Sequence, residues 1–235
     1  MSDRTTLPAR ERLIFALDVP DPREALELVE RLGDSVWFYK LGLELMMSGE
    51  YFELLATLKD RGKRVFADLK LFDVPATVGA AMRQLDRRGV DFCTVHGQDA
   101  MLAAAVETAE HTAVLAVTAL TSLDQGDLDD LGFRCDARSL VLSRARRALE
   151  LGCAGVISSG LEVPMLRDSV DRSLVVVCPG IRPVANTDDQ KRTVTVADAF
   201  GNGADYIVVG RPIRDADDPR AAAESMQAQI RSIFA

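Results

Sequence analysis

Eight short runs rich in β-branched and other apolar residues recur along the chain, and they limit the possible folds more than any other feature. The runs span residues 13–19, 36–42, 65–70, 91–97, 113–120, 154–160, 174–181 and 205–211. The segments between them have helical periodicity. In the first such segment one helix face carries Ala25, Leu28, Val29 and Leu32. A later segment, ARSLVLSRARRALELG, is closed by Gly152. Strand and helix therefore alternate, as in α/β proteins.

The number of strand and helix pairs predicts the architecture. Eight such units in 235 residues match the (β/α)8 TIM barrel, whose usual length is roughly 250 residues. A doubly wound open sheet is the competing architecture. Residues 1–235 contain no linker, low-complexity tract or abrupt change of composition, so a single domain is expected. The longest irregular stretch, 121–136, is a candidate mobile loop.

Composition and charge narrow the class of ligand. The chain is 48% hydrophobic and 27% charged, which is typical of a soluble globular protein. It has no apolar leader segment and no run of apolar residues long enough for a membrane span, so it is expected to be cytoplasmic. A net charge of −8 argues against a nucleic-acid surface, and an anionic small ligand would need a locally basic pocket. The four cysteines lie far apart and suggest neither a zinc site nor disulfides.

Polar residues concentrate where the predicted strands end. They are Asp18, Lys40, Asp68, Lys70, His96, Thr121, Ser122, Arg182 and Arg211. In a barrel of this type the carboxyl ends of all strands meet at one mouth, where the active site lies. We therefore expect these side chains to gather around one pocket.

The third strand carries the densest cluster of charge. The stretch VFADLKLFDVPATVG, residues 65–79, places Asp68, Lys70 and Asp73 within six positions. Side chains two residues apart share a face of a strand, so Asp68 and Lys70 should both point into the barrel. They could form a buried ion pair with no further role, and Asp73 could cap the helix led by Pro75. A buried ion pair contributes little stability, so its position at the mouth favours a functional reason.

The last strand predicts a phosphate site. The stretch IVVGRPI supplies Gly210, which allows close approach of a ligand, and Arg211, which can bind phosphate with two hydrogen bonds. Barrels often bind phosphate between the loops after strands seven and eight, and Arg182 follows strand seven. The sequence has two histidines, His96 and His111, but neither a serine nucleophile elbow nor a histidine zinc motif, which argues against a catalytic triad and a zinc hydrolase. His96 is expected to be a hydrogen-bonded structural residue.

The motif D-L-K-L-F-D-V-P-A-T resembles the D-x-K-x-x-D-x-P-x-T signature of the orotidine 5′-phosphate decarboxylase family. The resemblance extends over nearly the whole chain, through FALDVP, FYKLG, ALTS, CPGIRP, DDQKR and GADYIVVGRPI in that order. One departure follows His96, where HGQDAML lacks the family's usual glycine pair. The strand-four loop is therefore expected to be built differently.

The resemblance implies decarboxylation of orotidine 5′-phosphate to UMP and CO2, the last step of UMP biosynthesis, without cofactor or metal. It implies an alternating network of Lys40, Asp68, Lys70 and Asp73. Carboxylates beside Lys70 stabilise its ammonium, which can then stabilise the carbanion at pyrimidine C6 and protonate it. Asp68 would lie near the substrate carboxylate, where relief of repulsion is a contested explanation of the rate.

The resemblance also assigns substrate-binding residues and a partner. Asp73 and Thr77 would reach into the neighbouring subunit's site and hold the ribose, so a homodimer is expected. Asp18 and Lys40 would bind ribose hydroxyls, Thr121 the pyrimidine, and Gln190 would bridge phosphate and base. Taken alone, Thr77 could be an ordinary first-turn residue, Thr121 could begin a loop, and Asp18 could be a turn residue.

Two other functions remain open from the sequence. One is a magnesium-dependent decarboxylase or epimerase that acts on a sugar phosphate, for which Glu44 is the extra carboxylate near strand two. The other is a barrel that binds a phosphorylated ligand without catalysis. If the chain is an enzyme of the first kind, the loop 121–136 is expected to close over the nucleotide.

Overall fold

A computed structural model describes residues 7–182 and 194–234. The strands are β1 (Leu13–Ala16), β2 (Phe38–Leu41), β3 (Arg64–Leu71), β4 (Phe92–His96), β5 (Ala113–Val117), β6 (Gly155–Ile157), β7 (Val175–Cys178) and β8 (Tyr206–Val209). The helices are α1 (Pro22–Leu32), α2 (Leu43–Met47), α3 (Tyr51–Asp60), α4 (Pro75–Asp86), α5 (Asp99–Thr108), α6 (Gln125–Asp130), α7 (Ala137–Glu150), α8 (Val163–Ser169), α9 (Val196–Gly201), α10 (Arg211–Arg214) and α11 (Pro219–Ile233). Seven of the predicted strand runs contain one of these strands, and β3 extends one residue beyond its predicted run, 65–70, at each end.

The strands form a closed parallel barrel. Each strand pairs with the next along the chain, and β8 pairs with β1, where Ile14 lies opposite Val208. Helices follow the strands and cover the outside of the barrel. The predicted (β/α)8 TIM barrel is therefore confirmed, and the alternative of an open doubly wound sheet is wrong.

The alternation of side chains along each strand builds two apolar layers. Inward-facing residues fill the barrel, among them Ile14, Phe38, Phe66, Leu115 and Val177, each at most 1% exposed. Residues of the opposite parity pack between the strands and the helices. With the interior filled in this way, the open space for a ligand lies at the strand ends.

Local signals explain the helix boundaries that the sequence predicted. In α1, Asp21 accepts a hydrogen bond from the Arg23 backbone N–H, and Pro22 occupies the first turn. The predicted apolar face of α1 is buried, which confirms it. Helix α7 ends at Glu150, two residues before Gly152, whose φ of 83° suits only glycine.

The stretch 121–136, expected to be irregular, contains helix α6, so that prediction was wrong in its central part. Asp124 and Asp127 form a reciprocal capping box at the helix start. The pattern D-x-x-D serves here in place of the more familiar S/T-x-x-E. Within the described residues, no helix combines the length and apolar character needed to cross a bilayer.

Candidate active site

Strand β3 breaks its regular pairing where the charged residues lie. Ala67 is opposite Cys93 and Leu71 is opposite Val95, so β3 uses four residues where β4 uses two. Lys70 has φ 47°, the one positive φ among the described non-glycine residues. Asp68 and Lys70 do point to the same side, as expected, because both line one cavity and their charged atoms lie 2.9 Å apart. The backbone that brings them together is a bulge with a left-handed residue and not the regular pleat from which the expectation was argued.

The bulge creates a chain of four alternating charges. Lys70 Nζ lies 2.9 Å from Asp68 Oδ1, and Lys40 Nζ lies 3.4 Å from Asp68 Oδ2. Lys40 Nζ also lies 2.9 Å from Asp18 Oδ1. The side chains of Lys40 and Asp68 are only 12% and 13% exposed, whereas those of Lys70 and Asp18 are 35% and 50% exposed. The Asp68–Lys70 ion pair considered from the sequence is therefore part of a longer chain of charges, whose end members Lys70 and Asp18 are the more exposed.

Mutual attraction keeps the buried members of the network charged. Burial raises the pKa of Asp68, but the positive charges of Lys40 and Lys70 outweigh it and hold that pKa below its ordinary value. Burial likewise lowers the pKa of Lys40, and the carboxylates of Asp68 and Asp18 more than compensate, so its pKa is raised. Lys40 and Asp68 therefore stay charged over the neutral pH range.

Thr94 on β4 belongs to this site, and the sequence did not reveal it. Its hydroxyl donates to Asp68 Oδ1 at 2.9 Å and accepts from the Lys70 backbone N–H at 2.9 Å. The side chain is fully buried. The signal that could have identified it is its inward parity on β4, two residues before His96 at the strand end.

A cavity of about 240 Å³ lies above the network at the carboxyl ends of the strands. Eight of the predicted site residues line it: Asp18, Lys40, Asp68, Lys70, Thr121, Arg182, Gly210 and Arg211. Apolar residues of the barrel interior, including Phe66, Ile157 and Val208, form its floor. Four basic side chains face two acidic ones, so this cavity is locally basic in a chain of net charge −8. An anionic ligand with a flat apolar portion suits these walls.

The basic end of the cavity lies between the ends of β7 and β8. Gly210 is the N-cap of α10, and Arg211 is the first residue of that helix. A methyl group on Gly210 would meet Ala16 and Asp18 only at ordinary contact distances of 3.5 and 3.6 Å. Packing against the surrounding chain therefore does not require glycine at position 210. The missing side chain instead leaves room for a ligand at the cavity wall. Arg182 is 7% exposed and donates to the Ile181 carbonyl at 3.1 Å.

Asp73 and Thr77 lie outside this cavity on an exposed segment. Asp73 does not cap α4: the N-cap is Val74, and Asp73 Oδ1 accepts the Val74 N–H at 2.6 Å. The capping interpretation was wrong because Pro75 occupies the first helical position, which assigns the cap to the residue immediately before it. Phe72 and Val74 beside them are each 62% exposed. Gln190 lies outside the described residues.

The departure from the family pattern after His96 is a two-residue connection to α5. Gly97 is required there, because a methyl group on it would lie 2.8 Å from the Val117 carbonyl oxygen. The imidazole of His96 packs edge-on against Phe72, with ring centroids 5.1 Å apart. Burial and the positive charges of Arg144 and Lys70 lower the pKa of His96. The hydrogen bond expected for this side chain is not among those of the described residues, and an aromatic contact holds the ring.

The described part of the chain holds no group of three or more His, Cys, Asp or Glu side chains placed to bind a metal ion. Glu44, the carboxylate that a magnesium site would need, is exposed on α2 and does not line the cavity.

Known proteins resemble the chain over most of its length. Residues 11–226 match the model of the family described as "Orotidine 5'-phosphate decarboxylase / HUMPS family". A relative from Methylococcus capsulatus, named orotidine 5′-phosphate decarboxylase, is 66% identical over 97% of this chain and 96% of its own. A relative of the same name from Xanthomonas campestris pv. campestris is 52% identical over 96% of this chain and 94% of its own. The crystal structure of orotidine 5′-phosphate decarboxylase from Lactobacillus acidophilus superposes with a TM-score of 0.83 at 33% identity and covers 94% of this chain and 99% of its own. With a family match over most of the barrel and relatives this similar, the chain belongs to the orotidine 5′-phosphate decarboxylase / HUMPS family.

Proposed function

We propose that the protein is an orotidine-5′-phosphate decarboxylase that converts orotidine 5′-phosphate to UMP and CO2 in pyrimidine biosynthesis, without a cofactor, from one barrel domain of residues 1–235. The observation that carries the proposal is the Lys40–Asp68–Lys70 network beneath a basic cavity. Relatives of 66% and 52% identity bear the name of this activity. The cytoplasm is the proposed compartment because substrate and product are charged nucleotides.

The network supplies what the reaction requires. Loss of CO2 breaks the bond from C6 to the carboxylate and leaves the electron pair on C6, where no carbonyl group can delocalise it. Lys70, held 2.9 Å from Asp68, places a positive charge where that pair develops and then donates a proton to C6. A pyrimidine stacked over the apolar floor would hold C6 above the Lys70 ammonium.

Asp68 positions the two lysines. Its two carboxylate oxygens lie near different ammonium groups, Oδ1 near Lys70 and Oδ2 near Lys40. We assign Asp68 this positioning role ahead of ground-state destabilisation of the substrate carboxylate, because the contacts support the former.

The remaining cavity residues divide by chemistry. Asp18 and Lys40, paired at 2.9 Å, offer an acceptor and a donor to ribose hydroxyls. Thr121 lies at the wall for the pyrimidine. Arg211, Gly210 and Arg182 at the ends of β7 and β8 are assigned to the phosphate, together with Gln190.

We infer in addition that the active unit is a homodimer in which Asp73 and Thr77 complete the partner's site. Both residues are exposed in this chain, and no ion pair of Asp73 is among those of the described residues. The exposed Phe72 and Val74 form an apolar surface around them, as an interface core requires. We propose that the Asp73 carboxylate of one subunit approaches Lys70 of the other across this surface.

The stretch 121–136 is proposed to close over the bound nucleotide. Thr121 at its start lines the cavity, and Leu131 near its end is 64% exposed. Closure would cover that apolar side chain and exclude water from the site. Arg134, which is exposed, provides a trypsin site in this stretch. A tight UMP analogue should slow cleavage there, and equal rates with and without it would contradict closure.

The activity is tested with purified, EDTA-treated protein. We expect loss of orotate absorbance on addition of orotidine 5′-phosphate, and loss of turnover by orders of magnitude in Lys70→Ala with UMP binding retained. Activity that EDTA abolishes would favour the magnesium-dependent alternative. Binding of UMP with no turnover by the unmodified protein would favour a non-catalytic barrel.

Shared sites are tested by co-expression of two inactive variants. Lys70→Ala and Asp73→Ala chains should together give about one quarter of the normal activity, because half of randomly paired dimers are mixed and each mixed dimer has one intact site. The control pair is Lys70→Ala with Asp68→Ala, two residues that meet within one chain. That pair should restore nothing. Equal behaviour of the two mixtures would contradict a shared site.

A further inference from the structure

Thr94 on β4 contacts the part of β3 where two irregularities occur together, the bulge and the positive φ of Lys70. The bulge of β3 shifts the pairing with β4 between Ala67 and Leu71. The backbone N–H of Lys70 donates to the Thr94 hydroxyl at 2.9 Å. A side chain thus takes the place of a carbonyl group of the neighbouring strand as the acceptor for this N–H.

The same hydroxyl orients the carboxylate that Lys70 contacts. Thr94 Oγ1 donates to Asp68 Oδ1 at 2.9 Å, and Lys70 Nζ donates to that same oxygen at 2.9 Å. One hydroxyl therefore holds both the backbone and, through Asp68, the ammonium of Lys70. Because a hydroxyl has one hydrogen and lone pairs, it can donate to a carboxylate and accept from an amide at once.

The conformation that Thr94 supports is unfavourable by itself. Lys70 has φ 47°, which lysine rarely adopts because its Cβ then crowds the following carbonyl oxygen. Such a residue persists only where its surroundings hold it. Thr94 is fully buried, so its hydroxyl has no water to compete for these two bonds.

We propose that Thr94 is a positioning residue for the decarboxylation reaction, one that acts through Lys70 and Asp68 without contact with the substrate. It does not line the cavity, which separates this role from substrate binding. The expected effect on kcat rests on the proposed function. The structural part of the inference, that the hydroxyl keeps Lys70 in its left-handed conformation against Asp68, does not depend on that function.

The test compares Thr94→Val, which keeps the shape and removes the hydroxyl, with Thr94→Ser, which keeps the hydroxyl. The matched control is Thr112→Val, which removes another buried hydroxyl, one that donates to the Val90 carbonyl at 2.9 Å. Thr112 immediately precedes β5 and so lies at the other end of the barrel. Each variant is assayed for kcat and KM with orotidine 5′-phosphate and for its affinity for UMP.

We expect Thr94→Val to lower kcat about 10- to 100-fold, the effect of displacing a catalytic group by roughly 1 Å, with KM and UMP affinity close to normal. Thr94→Ser should retain most of the activity, and Thr112→Val should leave it unchanged. Normal kcat in Thr94→Val, a loss confined to KM, or an equal loss in Thr112→Val would overturn the proposal.

A crystal structure of Thr94→Val provides a test that does not depend on turnover. We expect Lys70 to leave the left-handed region or its ammonium to move away from Asp68. An unchanged Lys70 would refute the positioning role even if the proposed activity were absent. Absence of turnover in the unmodified protein would instead refute the proposed function.

Discussion

The left-handed conformation of Lys70 makes an unusual prediction about stability. In an ordinary strand position, glycine is less stable than alanine by about 0.5–1 kcal/mol because it loses more conformational freedom on folding. At φ 47° the preference should reverse, because the Cβ of alanine would be crowded and glycine has none. We therefore expect Lys70→Gly to be more stable than Lys70→Ala.

Two opposing contributions set the size of the difference. A residue with a Cβ in the left-handed region costs about 1–2 kcal/mol relative to the usual conformations. Glycine avoids that cost, but it makes the unfolded chain more flexible, which lowers the stability of the glycine variant by about 0.4–1 kcal/mol. The net expectation is a free energy of unfolding about 0.5–1 kcal/mol higher for Lys70→Gly, or a melting temperature about 1–4 °C higher for a chain of this size.

The comparison isolates the backbone because both variants lose the same ion pair with Asp68. Urea denaturation of the two proteins at equal concentration measures the difference, and equal concentration matters if the chain dimerises. Both variants should lack turnover, since neither has the ammonium. A Lys70→Gly protein that is less stable than Lys70→Ala by 0.5 kcal/mol or more, the ordinary strand result, would refute the strained conformation and with it the reasoning about Thr94.

Three further expectations follow from the site. Asp68→Asn should lower the free energy of unfolding by about 1.5–3 kcal/mol in urea denaturation, because Lys40 loses its buried charged partner and keeps only the half-exposed Asp18; a loss below about 1 kcal/mol, within the range of an exposed pair, would contradict the buried network. Arg211→Ala should weaken UMP binding about 10- to 100-fold in calorimetry, as loss of charge-assisted hydrogen bonds predicts, and should leave uridine binding unchanged; equal weakening of both would place Arg211 away from the phosphate. Because the folded-state pKa of His96 is lowered, stability should fall as pH drops through about 6.5, where the unfolded histidine gains its proton first. His96→Gln should show a smaller fall between the same pH values, and an equal fall would show that other groups cause it.

The barrel could be predicted from the sequence because its signals are local and repeated. Each strand is a short apolar run, and α1 and α7 carry caps and apolar faces that neighbouring residues define. The gathering of polar side chains around one pocket then follows from topology alone, because a barrel of parallel strands brings the carboxyl ends of all strands together. Errors arose where one local pattern had two interpretations, as for Asp73, which Pro75 excludes from the cap position.

The details of the site could not be predicted because they depend on contacts between strands. Nothing in the residue type of Lys70 favours a positive φ, so the bulge is visible only in the pairing of β3 with β4. Thr94 looks like any inward threonine until that bulge brings the Lys70 N–H to its hydroxyl. The proposed contact of Asp73 with a neighbouring subunit involves a second chain, so no pattern within one chain can test it.

The energetics of the network indicate that fold stability is not its purpose. At an effective dielectric constant of about 20, the attraction between Lys40 and Asp68 across 3.4 Å is about 5 kcal/mol. The effective cost of removing the two ions from water is several kcal/mol for each, so the pair roughly breaks even. The left-handed residue beside it adds a further cost of about 1–2 kcal/mol. An apolar pair with a regular strand would serve the fold as well or better, and the coincidence of buried charge, bulge and positive φ at one strand end is the mark of a catalytic requirement.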